Sequence, residues 1–262
     1  MAISRFKTST LAQKLPKHKK IRGGYEWNVD PNASFLRIAA PFNSTLGFND
    51  YSASIKESGM NMVGTPANNV AISAVTSKFY GTSLNMGAMT DDGKVMFGNT
   101  SDLTLGTSDF TIEGWWYPTS ITVGYQAFAS HSGDTGDQQS GWILIMESNS
   151  TGPYFLATNN SGWPVSFSSS VLPTLNAWNH IAVTRQGTTF RIFMNGTLTG
   201  TLTSNSTNIS LPSSRELRIG NYNWFPGEEK GFQGFVQDFR MYIGVAKYTA
   251  TFTVPDRIWL GA

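Results

Sequence analysis

A chain of 262 residues with 40% hydrophobic, 13% aromatic and only 14% charged residues has apolar mass for a sizeable core, as one large β domain or two smaller ones. Its surface polarity must come from Ser, Thr, Asn and Gly. The absence of cysteine excludes disulfides and thiolate metal sites and fits folding in a reducing cytoplasm. The formal net charge of +2 hides an asymmetry: residues 1–24 hold seven of the nineteen Lys and Arg and no acid, leaving twelve bases against seventeen acids in residues 25–262. A body about five charges negative does not attract phosphate backbones.

The first 24 residues contain Arg5, Lys7, Lys14, Lys17, Lys19, Lys20 and Arg22, together with Pro16 and Gly23-Gly24. This composition does not pack on its own, and two readings stay open: an anchor that orders against a partner, or a solvated tail. Met1 to Lys7 lacks the continuous apolar run of a secretory signal, and no stretch of the chain is apolar enough to span a membrane. Asn-x-Ser/Thr triplets, among them Asn43 to Thr45 and Asn195 to Thr197, arise by chance in a chain this rich in those residues.

From Phe35 the pattern changes, and the expected division is an arm over 1–34 and a body over 35–262. Phe35 to Phe42 reads as a strand and Asn43 to Asp50 as a turn-rich loop; Asn61 to Gly64, Val70 to Ile72 and Lys78 to Met86 continue in short strands. Further strands are expected at Val95 to Phe97, Phe110 to Tyr117, Tyr125 to Ser130, Trp142 to Glu147, Tyr154 to Thr158, Trp178 to Gln186, Phe190 to Met194, Leu198 to Thr203, Glu216 to Ile219 and Gln233 to Tyr242. Short lengths, turn residues at each break and period-2 alternation predict an all-β, two-sheet antiparallel sandwich. Within Phe110 to Tyr117, residues 110, 112 and 114 are expected on one face and Thr111, Glu113 and Trp116 on the other. Asn195-Gly196 supplies the two positive-φ residues of a type I′ hairpin turn.

Phe110-Thr111-Ile112-Glu113-Gly114-Trp115, Trp178 to Arg185, the Asn195-Gly196 hairpin, Gly234 to Tyr242, Gly244 to Tyr248, Phe252 and Pro255 together resemble the laminin-G-like, concanavalin A-like lectin family. The resemblance covers roughly residues 35 to 255 and implies a jelly-roll sandwich. It leaves function open, since this sandwich hosts lectins, glucanases, adhesion modules and structural domains. The start Met1 to Thr10, with Ala12 to Lys17, is similar to the N-termini of tailed-phage structural proteins. That likeness favours the anchor reading.

Glycoside hydrolysis needs two carboxylates flanking the scissile bond, and glucanases of this superfamily carry theirs as Glu-x-Asp-x-x-Glu on one strand. No such run occurs; Glu113, Asp238 and Glu147 are isolated, and Glu113 and Asp238 are expected to pair with strand neighbours or cap turns. With no Cys and no Gly-x-Ser-x-Gly elbow, His18, His131 and His180 complete no nucleophilic triad. Catalytic residues and cofactors are therefore expected to be absent. Asp134 and Asp137, in Gly133 to Asp137, are the best oxygen ligands for Ca²⁺, against the plainer reading of an Asp-Gly turn that also applies to Asp91-Asp92-Gly93.

A glycan site calls for loop aromatics beside Asn, Asp or Gly. Asn221, Tyr222, Asn223 and Trp224, with Phe225, form one such loop, and Trp163 within Asn159 to Pro164 forms another; covering the sandwich edge is the competing role. Arg185, Arg191, Arg215 and Arg218 are too scattered for a nucleic-acid face. The leading expectation is a non-enzymatic virion protein of a tailed phage, on tail fibre or capsid, made in the host cytoplasm. Its arm would bind other virion proteins, and its body, homo-oligomeric on the particle, would meet host polysaccharide. A free or surface-attached lectin is the alternative, and a glucanase-like enzyme a minor one.

Overall fold

The computed structural model describes residues 30–52, 60–88, 93–98, 100–121, 124–132, 140–147, 151–159, 162–209, 216–222 and 231–254. Among them fifteen strands follow in order: β1 (Leu36–Ala40), β2 (Gly64–Ala67), β3 (Ala71–Ser73), β4 (Ser83–Asn85), β5 (Lys94–Phe97), β6 (Phe110–Pro118), β7 (Tyr125–Ser132), β8 (Ser140–Glu147), β9 (Tyr154–Asn159), β10 (Val165–Ser168), β11 (Asn179–Gln186), β12 (Thr189–Met194), β13 (Thr197–Leu202), β14 (Leu217–Ile219) and β15 (Gly234–Ile243).

Two antiparallel sheets form the sandwich. An eight-stranded sheet runs β13-β12-β11-β6-β15-β4-β3, with β1 also paired to β15, and a seven-stranded sheet runs β10-β9-β8-β7-β14-β5-β2. Period-2 alternation supplies the core between them: Phe110, Ile112 and Trp116 of β6, Ile181 and Val183 of β11, and Phe239 and Met241 of β15 meet Trp142, Leu144, Phe155 and Ala157 of β8 and β9. Placing Trp116 with Thr111 and Glu113 was therefore wrong. An even-numbered position shares the face of Phe110 and Ile112, and the indole folds back over Gly114, where a Cβ would lie 2.8 Å from its ring. The outward residues are Thr111, Glu113, Trp115 and Tyr117.

Among the described residues four ladders carry a register shift, and two of these adjust this alternation. One between Ala127 and Ala129 turns both Phe128 and Ala129 to the core. The other, between Gln237 and Arg240, holds Asp238 at φ +53° and keeps Phe239 inward. Asn195 and Gly196 take φ of +49° and +81°, as a type I′ turn demands, between β12 and β13.

Three sequence readings shift. The strand expected over Lys78 to Met86 is confined to Ser83–Asn85, because the Lys78 and Phe79 N–H groups both donate to the Gln237 side chain, at 2.8 Å each, instead of to a ladder. The strand expected over Asn61 to Gly64 starts only at Gly64. Packing begins ahead of Phe35: Asp30 is buried and accepts the Tyr242 hydroxyl at 2.5 Å, and Ala33 packs with Leu36, Ala39 and Tyr242.

Candidate functional site

The carboxylates on strands come first, because their environment decides whether chemistry is open to them. Glu113 lies on the outer face of the eight-stranded sheet beneath the segment that follows β15. Thr111 Oγ1 accepts from Lys247 N–H at 2.9 Å and donates to Val245 O at 3.0 Å, and Thr184 Oγ1 donates to Tyr248 O at 2.9 Å, so this segment is fastened across β6 and β11. It presses Lys247 Nζ onto Glu113 Oε1 as an ion pair. Glu113 Oε2 accepts the Tyr248 hydroxyl at 2.7 Å and lies 3.4 Å from His180 Nε2. Burial works to raise the Glu113 pKa, but the charge of Lys247 and the His180 contact outweigh it and hold the carboxyl well below its usual range. Burial, then the adjacent Glu113 charge, pushes the Tyr248 phenol far up.

Asp238, likewise isolated in the sequence, is engaged separately. It accepts Arg240 Nε and Nη2 at 3.1 Å each and the Tyr80 hydroxyl at 3.1 Å. Both acids are buried. A glycosidase acid needs a raised pKa and an open path to substrate, and Glu113 has the opposite shift and a covered carboxylate. Glu147, at the end of β8, stands opposite Tyr125. His131 is buried opposite Trp142. Arg185, one of the arginines weighed for a nucleic-acid face, is buried and donates to the carbonyls of Gly187, Gly106 and Thr207 at 2.8, 2.9 and 2.8 Å; it clamps loops.

Tyr222 and Trp163, the described aromatics of the two candidate loops, converge on the other side of the molecule, the outer face of the seven-stranded sheet. Ala127 of β7 and Ile143 and Ile145 of β8 form a buried apolar cluster with Tyr222, against which half-buried Tyr154 and Leu156 of β9 and Trp163 pack. Alternation explains the floor: Phe155 and Ala157 point to the core, so Tyr154 and Leu156 point out. Tyr154 Oη hydrogen-bonds Ser166 Oγ of β10, and the Ser130 hydroxyl donates to Asn221 O at 2.9 Å. Asn221 and Tyr222 are themselves buried, 1% and 3% exposed; they brace the face, and Trp163, Tyr154 and Leu156 present it. Tyr154 and Leu156 were absent from the sequence candidates, although their period-2 offset from Phe155 marks them.

Asn223, Trp224, Phe225, Asp134, Asp137, Asp91, Asp92, His18 and Arg215 lie outside the described residues, as do Arg5, Lys7, Lys14, Lys17, Lys19, Lys20 and Arg22. Among the described residues no group of three or more His, Asp or Glu is arranged to hold a metal ion.

Comparison with known proteins agrees with this architecture. Residues 90–246, more than half of the chain, match the laminin-G model of the concanavalin A-like lectin/glucanases superfamily. Domain 4 of AbnA, a GH43 extracellular arabinanase from Geobacillus stearothermophilus solved in complex with arabinotriose, is similar with a TM-score of 0.60 at 14% identity, over 80% of this chain and 92% of that one. The binding domain of botulinum neurotoxin serotype C1 is similar with a TM-score of 0.59 at 15% identity, over 80% of this chain and 49% of that one. A botulinum neurotoxin type C structure, from a toxin whose cell entry is dependent upon interaction with two ganglioside molecules, gives 0.61 and 15%, over 80% and 48%. The chain thus spans about half the length of those toxin chains. At such identities the likeness shows the fold alone. No curated protein matches the sequence.

Proposed function

We propose, for a chain that belongs to the concanavalin A-like lectin/glucanases superfamily, a non-enzymatic carbohydrate-binding role centred on the outer face of the seven-stranded sheet. The observation that carries it is the meeting of Trp163 with Tyr154 and Leu156 over one buried apolar cluster. A half-buried indole beside a tyrosine and serine hydroxyls suits the C–H face and the hydroxyls of a sugar. The engagement of Glu113 and Asp238 in buried ion pairs supports binding over hydrolysis. The arabinanase domain solved with arabinotriose and the toxin that interacts with gangliosides are consistent with a saccharide ligand. A glycan array probed with the full chain, with and without calcium, tests the role: binding that Trp163→Ala abolishes, without release of reducing sugar, is the expected result. No binding at any calcium level would remove the glycan reading.

The charge asymmetry carries a second reading, of where this module works. Seven bases and no acid in residues 1–24, in a segment similar to tailed-phage N-termini, support an anchor that holds the body on a virion through other virion proteins, in several copies per particle. Deleting residues 2–24 is expected to leave the sandwich folded and empty the particles of it. Normal incorporation of the truncated chain would refute the anchor.

A further inference from the structure

The outer face of the eight-stranded sheet carries an aromatic shelf that the role above does not use. Tyr117 of β6 stands opposite Phe235 of β15, with ring centroids 5.9 Å apart, and meets the Trp178 ring at 5.5 Å and 61°. Trp178, just ahead of β11, donates its Nε1–H to Thr76 Oγ1 at 3.2 Å. Tyr117 and Trp178 are half-buried, whereas Phe235 and Trp115 beside them are 8% and 7% exposed. Two rings therefore present open surface above two that are floor.

A fixed cation overhangs this floor. Gln237 is fully buried on β15; its Oε1 accepts the N–H groups of Lys78 and Phe79 at 2.8 Å each, while its Nε2 donates to Ser77 Oγ at 3.2 Å and to Thr82 O. That clamp sets the loop over the sheet, with Lys78 Nζ 4.2 Å from the Trp115 ring centroid and Phe79 edge-on to the same ring at 5.6 Å. Lys78 is exposed, and among the described residues no carboxylate pairs with it, since Glu113 on this face is taken by Lys247.

We infer that the shelf is a second saccharide site, selective for sugars that carry a carboxylate. Half-exposed rings flanked by the Thr76 and Tyr117 hydroxyls suit a pyranose face. The ammonium of Lys78, seated over the Trp115 ring and without a carboxylate partner among the described residues, adds attraction for an anion. The two open rings, Trp178 and Tyr117, lie on neighbouring strand lines about 4.8 Å apart, the footprint of one sugar ring. Because Trp163 lies on the opposite sheet, the two sites act independently, and one long polymer could engage both with avidity.

Isothermal titration of the full chain with trigalacturonate, a hyaluronan hexasaccharide and disialic acid, each beside its methyl ester, tests the inference. At least one acid should bind, its ester about tenfold more weakly, and Lys78→Gln should cost a similar factor. Affinity should fall as NaCl rises from ~50 to ~500 mM, and Trp163→Ala should leave it unchanged. Lys78 is exposed, so its substitution spares the core. Binding to none of the acids, equal binding of acid and ester, wild-type affinity in Lys78→Gln, or loss of binding in Trp163→Ala would each overturn the second site.

Discussion

Lys247→Met removes the cation from an ion pair in which both side chains are 6% exposed. Glu113 would keep the Tyr248 hydroxyl and the His180 contact but lose the positive charge that offsets its burial. Leaving one buried partner uncompensated costs roughly 3 to 5 kcal/mol, which for a domain of this size lowers Tm by roughly 10 °C. The pH dependence separates this cause from mere loss of packing. In the native chain the folded pKa of Glu113 is depressed, so its contribution is fully present above the unfolded value of 4.5 and is lost only as pH falls toward the lower folded value. Without Lys247 the burial effect prevails and the folded pKa rises above the unfolded one. The penalty then stands at high pH and recedes as acid protonates Glu113.

Urea unfolding of Lys247→Met should accordingly show a larger deficit against the native chain at about pH 7 than at about pH 5. The double variant Glu113→Gln, Lys247→Met, which leaves neither charge, should recover much of the loss. A deficit under about 1 kcal/mol, as for a surface pair, or one that does not change with pH, would show that the Lys247 charge does not offset the burial of Glu113.

Gly114→Ala should destabilise by about 1 to 3 kcal/mol, read by urea unfolding, because the added Cβ meets the Trp116 ring at 2.8 Å and Phe239 Cα at 3.3 Å. Gly196→Ala should cost about as much by the same measurement, since φ is +81° and the Cβ would lie 2.2 Å from Phe252 O. Asn195→Gly keeps the turn but loses the 2.8 Å bond from His180 N–H to Asn195 Oδ1; thermal unfolding should show a loss of about 1 kcal/mol.

Alternation and turn chemistry made most of the sandwich legible before its structure: Phe110–Pro118, Asn179–Gln186 and the Asn195-Gly196 turn all lie within a residue or two of their expected places. β10, Val165–Ser168, went unnoticed, since four residues between a proline and a serine run look like loop, and only pairing with β9 makes them a strand. Lys78 and Phe79 looked like strand because their capture by Gln237 spans about 160 positions of sequence. The binding face was half visible. Trp163 and Tyr222 stood out by type, but nothing local predicts that they meet over Ile143 and Ile145, or that Tyr222 is a brace. Lys247 was no candidate because Glu113 lies 134 residues away, a distance only the fold closes.

Trp163, Tyr154 and Leu156 are proposed to form a saccharide platform. A crystal structure of the full chain soaked with an oligosaccharide selected on the array locates the sugar. A pyranose ring should be found stacked on Trp163, with hydroxyls in reach of Tyr154 and Ser166. A selected sugar bound elsewhere, with this face bare, would rule the platform out.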